Sequence, residues 1–142
     1  MIDDLSRYGV RLARVLIAIV FLLNALGVID QTRAAHEMIA RGMPASLTPF
    51  AMWSGRALEL AAGLALTFGF QQRLAALALA AFMVPATLVA HPFWLYYGTA
   101  DLQVQLVNCY KNIAIIGGLL FIASTVVAHA NHKDSRARAA GA

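Results

Sequence analysis

The sequence predicts an all-α integral membrane protein, a four-helix bundle with a short amphipathic helix in its first outer loop. Three observations carry this. Of the 142 residues, 61% are hydrophobic and 13% are charged, against ~45–50% and ~25% in a soluble domain. The mean hydropathy is +0.69. The apolar residues fall into four runs, each long enough to cross a hydrocarbon core of ~30 Å at ~1.5 Å per residue, with tilt where needed. None of the runs shows the alternating polarity of a membrane β-strand.

The first helix is expected over residues 12–29. Leu12, Ala13 and Arg14 lead into the run Val15–Ile29, and the long side chain of Arg14 is expected to snorkel toward the headgroups. A basic flank before an apolar stretch also suits a signal peptide. No small-x-small cleavage site follows, and Asn24 and Gly27 interrupt the stretch, so the helix reads as retained. Residues 30–49 form a longer loop. Within it, Thr32–Arg41 sets Ala35, Met38 and Ile39 against Arg33, His36 and Glu37, with Gly42 as a stop and Pro44 as a breaker. That pattern predicts a helix lying on the membrane surface.

The second helix is expected over 50–70 and carries Arg56 and Glu59. Gln71-Gln72-Arg73 is so short a link that helices two and three must form an antiparallel hairpin. Helix three, 73–91, contains Pro85, which is expected to kink it, and ends at His91. The aromatic stretch His91–Tyr97 suits anchoring at the headgroups, Tyr96 and Tyr97 above all. Helix four, 102–129, carries Lys111. Residues 130–142 read as a polar, frayed cytoplasmic tail, and 1–142 as one membrane domain.

Net charge is +4, yet the basic residues cluster at the chain ends, among them Arg7, Arg11, Arg14, Lys133, Arg136 and Arg138. Basic flanks of spans account for this better than nucleic-acid binding does. Seven Lys and Arg fall on the side of the termini and of the 71–73 turn, against two, Arg33 and Arg41, on the other side. The count predicts a multi-pass protein of the cell inner membrane with both termini cytoplasmic. The single cysteine, Cys109, excludes an internal disulfide or a C-x-x-C redox pair.

Charge within the spans is the informative feature, because it is costly in hydrocarbon and normally faces the bundle interior. Arg56, Glu59 and Lys111 are charged; Asn24, Asn108 and Asn112 are polar; His91 closes helix three. Glu59 and Lys111 each lie nine residues into their helices, about 13 Å deep from the same side. Gly55, Glu59 and Gly63 share one helix face, as do Asn108, Lys111, Ile115 and Gly118. Glu59 is therefore expected to meet Lys111. Two readings stay open at this point. The cluster is a structural ion network, or it is a site for a polar head group such as a quinone ring, with Glu59 handling a proton.

These motifs also carry a family resemblance. Helix one ends in Phe21-Leu22-Leu23-Asn24-Ala25-Leu26-Gly27, and the first loop in Arg41-Gly42-Met43-Pro44. Helix two runs from Glu59-Leu60-Ala61-Ala62-Gly63 to Gly69 and then Arg73. His91-Pro92-Phe93-Trp94 and Lys111-Asn112, followed by Gly117-Gly118, complete the set. The pattern over about residues 12–122 resembles the DoxX family of small four-helix membrane proteins. The resemblance implies a bundle in the cytoplasmic membrane, with Glu59, Gly63, Gly69, Arg73, His91, Lys111 and Asn112 as the matching positions. It also implies relatives that are subunits of thiosulfate:quinone oxidoreductase, or that belong to oxidative-stress complexes. The basic residue that the family often has after the helix-one glycine is Val28 here. The function expected is thus a membrane subunit of a quinone-linked or oxidative-stress redox system. The alternative is a non-enzymatic partner or assembly subunit, working with another protein or as a homo-oligomer.

Overall fold

The computed structural model describes the backbone of residues 2–140 and the side chains of 8–125. The helices are α1 (Ile2–Ala25), α2 (Thr32–Ala40), α3 (Thr48–Phe68), α4 (Gln72–Ala90) and α5 (Leu102–Ala140), with a single 3-10 turn over Phe93–Leu95. No strand occurs among the described residues.

The boundaries follow local chemistry. α1 stops at Ala25, short of residue 29, because the chain turns at Gly27 with φ +74°, where a side chain would be strained. Thr32 opens α2, with its amide and hydroxyl donating to the Asp30 carboxylate. Pro49 sits in the first turn of α3, where its missing N–H costs nothing, and Gly69 at φ 80° closes the helix. The Phe70 and Gln71 link then reverses the chain into α4. Pro85 lies inside α4 on an exposed face. α5 continues as helix to Ala140, beyond the expected end at 129.

The four long helices form a ring. α1 packs on α3, α3 on α4 and α4 on α5, while α5 returns to α1 along the sparsest seam. Across the ring, α3 makes no close approach to α5, nor α1 to α4. The interior is built from Ala18, Phe21, Ala62, Leu66, Ala75, Ala76, Leu79, Ala80, Met83, Leu119, Ile122 and Ala123. So many alanines let backbones approach closely, as helices must in lipid, where packing rather than water exclusion holds them together. Gly63 continues this on α3: a Cβ there would stand 3.0 Å from Leu22 Cδ2 of α1. The outer wall is apolar, with Leu12, Leu16 and Ile19 of α1, Leu74 and Leu77 of α4, and Val104, Val107, Ile113 and Phe121 of α5 all exposed. In water such a wall would aggregate; in a bilayer it is the solvated surface. The fold is an integral membrane helical bundle.

Among the described residues, three helices are long and apolar enough to cross a membrane, over Tyr8–Ala25, Gln72–Leu95 and Leu102–Thr125. α3 has the length, 21 residues, but Arg56 and Glu59 lower its hydropathy. It stands in the ring between α1 and α4, with Phe50, Trp53, Leu64 and Phe68 on its exposed side.

α2 lies across the end of the bundle that carries the long connectors, hereafter the loop end. Its opposite is the turn end, where α3 passes into α4. Of the apolar set, Ala35 and Met38 are half-buried and Ile39 is exposed, while Arg33 and His36 face outward as expected. Polar contacts of α2 and of its C-cap residue Arg41 add to the hold: Tyr96 donates to the Glu37 carboxylate, Arg41 Nη1 donates to the Leu88 carbonyl at 2.6 Å, and Arg33 pairs with Asp101 at 3.0 Å. Tyr96 is thus a clamp rather than a headgroup anchor, while Tyr97 is exposed.

Candidate functional site

The polar residues singled out from the sequence all lie in the loop half of the bundle, but they form two clusters on opposite seams. On the α1–α3 seam, Glu59 is 3% exposed. Its Oε1 accepts from Asn24 Nδ2 at 3.0 Å. The face that carries Gly55, Glu59 and Gly63 explains the placement. Gly55 lies against Phe82 of α4 and Gly63 against Leu22 of α1, so Glu59 is drawn into the wedge between them. Arg56, one turn earlier, has no contact ion pair with Glu59. Its Nε donates to Gln31 Oε1 at 3.3 Å, and its guanidinium lies over the Trp53 ring, 5.7 Å from the centroid. Gln31 lies within reach of both charged groups.

On the α4–α5 seam, Asn112 Nδ2 donates to Thr87 Oγ1 at 3.1 Å. Nearer the loop end, Gln105 is 1% exposed and joins three elements. With its amide oriented to satisfy both neighbours, its nitrogen donates to His91 Nδ1 at 3.0 Å and its oxygen accepts from Arg33 Nη2 at 2.7 Å. His91 Nδ1 is then an acceptor, which places the ring proton on Nε2 and leaves that nitrogen as a donor. Arg33 also lies against the Tyr96 ring at 5.5 Å. Its bonds to Tyr96 and Asp101 hold the guanidinium charged more firmly than usual, its pKa raised.

The expected ion network of Arg56, Glu59 and Lys111 does not form. Lys111 is exposed, and its Nζ donates to Asn108 Oδ1, one turn back on its own helix, at 2.9 Å. Glu59 and Lys111 both lie in the loop half of the bundle. Their helices, however, stand diagonally across the ring, and α3 makes no close approach to α5. The carboxylate's partner is an amide on α1. Residues absent from the sequence-based set are Gln31, Arg33, Thr87 and Gln105. Gln105 and Asn112 lie seven apart on one face of α5, and that spacing was the available signal.

The arrangement offers a buried carboxylate acceptor, an amide donor beside it, and an imidazole N–H held by a buried glutamine. That set suits an uncharged polar ring carrying carbonyl or hydroxyl oxygens, which takes hydrogen bonds in one state and gives them in another. Comparison with known proteins agrees with the fold. No solved structure matches the chain. It is similar to the inner membrane protein YqjF of Escherichia coli (strain K12), 33% identical over 122 residues, covering 85% of this chain and 86% of that one. The DoxX family model matches residues 9–92, from α1 through the end of α4, so that Asn24, Arg56, Glu59 and His91 fall within the match while Asn108, Lys111 and Asn112 lie beyond it. Together with the apolar, alanine-packed bundle, these matches show that the chain belongs to the DoxX family of membrane proteins.

Proposed function

We propose that this protein is the membrane subunit of a quinone-linked or oxidative-stress redox system, with the loop-half polar layer taking the head group of a quinone. The observation that carries the reading is Glu59, a carboxylate 3% exposed inside an apolar bundle and bonded to Asn24 rather than to a cation. A carboxylate held this way is suited to exchanging a proton with a buried ligand. The donors that would hold the ring oxygens are Asn24, Asn112 and His91, with Arg56 supplying positive potential nearby. A quinone accepts electrons and protons when reduced; the residues here bind, orient and handle the protons, and the electrons come from a partner. The protein is read as crossing the membrane four times with both termini cytoplasmic, on the seven-to-two distribution of Lys and Arg. A C-terminal reporter active only outside the cytoplasm would reverse that orientation.

The test is titration of the purified protein with menaquinone and a short-chain analogue, followed by tryptophan fluorescence. Saturable binding in the parent, lost in Glu59→Gln and weakened in His91→Phe, supports the site. No saturable binding in the parent overturns it.

A second reading rests on a different residue. Lys111 is a charged side chain about 13 Å along α5, on the outside of the bundle and bonded only to Asn108. A cation in that position favours a membrane partner that presents an acidic side chain, and hence an assembly role. Loss of a crosslinked partner in Lys111→Met, with quinone binding unchanged, would select this reading.

A further inference from the structure

The turn end of the bundle, far from Glu59, has a charge problem of its own. Arg14 of α1, expected to snorkel, is instead 9% exposed. Its guanidinium is pressed against the α3–α4 turn, where a Cβ at Gly69 would stand 3.1 Å from Arg14 Nη1. Its Nε is buried without a hydrogen-bond partner. The carbonyl end of α3 offers it only a partial negative charge. Arg11, one turn earlier, adds positive potential, and Arg73 is exposed at the start of α4. The carboxylates with described side chains, Asp30, Glu37, Glu59 and Asp101, all lie in the loop half, where they face Arg33, Arg41, Arg56 and Lys111 in equal number. The turn end has no such balance among the described residues.

Two further features meet there. α4 begins at this turn, and its N-cap residue, Gln71, holds φ 43° and makes no side-chain capping bond. The first N–H groups of α4 therefore lack a side-chain acceptor, at the positive end of the helix dipole. The Gln72 side chain stands against Gly69 together with Arg14. In addition, the sparse α1–α5 seam opens into an apolar groove of about 350 Å³, lined by Gly9, Val10, Ala13, Phe121, Ile122 and Thr125. Ala13 is the residue before Arg14.

We propose that Arg14 and the first turn of α4 bind a phosphate oxyanion, supplied by the headgroup of an anionic phospholipid whose acyl chain lies in the α1–α5 groove. The site is independent of the Glu59 layer and lies at the opposite end of the molecule. An orphaned guanidinium donor and uncapped amides supply what a phosphodiester needs, namely charge-assisted donors at a membrane interface. The groove selects a lipid over a free ion.

The experiment uses the full-length protein in neutral detergent, with binding read by native mass spectrometry and by melting temperature. The probes are phosphatidylglycerol, phosphatidylcholine and inorganic phosphate at matched ionic strength. Phosphatidylglycerol is expected to bind and to raise the melting temperature, and phosphatidylcholine and phosphate to do neither. Arg14→Gln is expected to weaken phosphatidylglycerol binding about tenfold or more, as loss of a charge-assisted bond does, and Arg14→Lys to weaken it less. Equal binding to Arg14→Gln and to the parent overturns the proposal. A full response to inorganic phosphate alone overturns the lipid assignment. Should Arg14→Gln fail to fold, Ala13→Phe fills the groove without altering charge; unchanged phosphatidylglycerol binding in that variant overturns the placement of the acyl chain.

Discussion

Replacing Asn24 with Leu removes the amide that donates to the Glu59 carboxylate on the α1–α3 seam, at 3.0 Å. Glu59 is 3% exposed, so water cannot take the vacated place without opening the seam. In a soluble protein, a hydrogen bond to a charged group contributes ~1.5–3 kcal/mol. Within membranes, side-chain hydrogen bonds average ~0.6 kcal/mol and reach ~1.7. The burial of Glu59 places this bond toward the upper end, so Asn24→Leu should destabilise by about 1–2 kcal/mol. Glu59→Leu should cost about as much, since it leaves the amide unpaired. The double variant removes both polar groups and should recover most of that loss, giving a coupling of ~1 kcal/mol or more. The assay is reversible unfolding in mixed micelles of mild and denaturing detergent. A parallel cycle with Glu59→Leu and Lys111→Met should be additive within ~0.5 kcal/mol, because the two residues share no partner. Additivity in the first cycle, or coupling above ~1 kcal/mol in the second, would refute the ring order on which the reasoning rests.

Three further outcomes follow from other parts of the molecule. Gln105→Leu should destabilise by ~1–3 kcal/mol, since it strips partners from His91 and Arg33 together; nitrogen NMR of His91 should report the lost bond to Nδ1, and an unchanged spectrum would contradict the seam. Gly63→Ala should lower stability by ~1–3 kcal/mol, because its new Cβ meets Leu22 Cδ2 at 3.0 Å and Cγ at 3.3 Å and must push that side chain off α3, whereas Gly117→Ala, with nothing within 4 Å, should be harmless in the same unfolding assay. The Asp30 carboxyl is held below its usual pKa by the Thr32 hydroxyl and amide, so it contributes to holding the start of α2 above its unfolded pKa of ~3.9 and loses that contribution as pH falls through the lower folded value. Asp30→Asn should therefore speed amide exchange at the start of α2 at pH 6, and the difference should fade as acidification protonates the Asp30 carboxyl; a difference unchanged after that carboxyl has titrated would contradict the cause.

What the sequence makes legible is position along a helix. The helix order, the short link after α3, the Thr32 start of α2 and the gathering of Asn24, Glu59, His91 and Lys111 toward one end follow from counting residues and recognising turn chemistry. Position around the bundle is not legible in the same way. A face repeats every 3.6 residues on its own helix, but nothing in that period says which helix stands opposite. Glu59 and Lys111 do not meet for this reason: their helices are diagonal rather than adjacent. The same limit applies to α2. Its pattern identifies an amphipathic helix, yet amphipathicity does not say that Glu37, on the charged side, takes a bond from Tyr96 of the bundle. For Arg14, a basic residue at the edge of an apolar run fits snorkelling and burial equally well until the α3–α4 turn is seen lying over it.

Separating Glu59 from Lys111 changes what the polar layer demands. A contact ion pair would have satisfied both charges and left the layer with no need of a ligand. As built, the carboxylate lies inside the ring beside an amide, and the ammonium lies outside it beside another amide. Those are different demands, and they are met from different directions. A group that answers to Glu59 approaches the α1–α3 seam, where Asn24 and Glu59 meet. A group that answers to Lys111 approaches from the lipid. A photoreactive quinone should therefore label residues of α1 and α3 near Asn24 and Glu59, whereas a partner helix should crosslink to α5 near Val107 and Lys111, both exposed. Both labels in one protein would be compatible with a redox subunit docked on its electron donor. Label on α5 alone would leave the buried carboxylate as a packing element and the assembly role as the function.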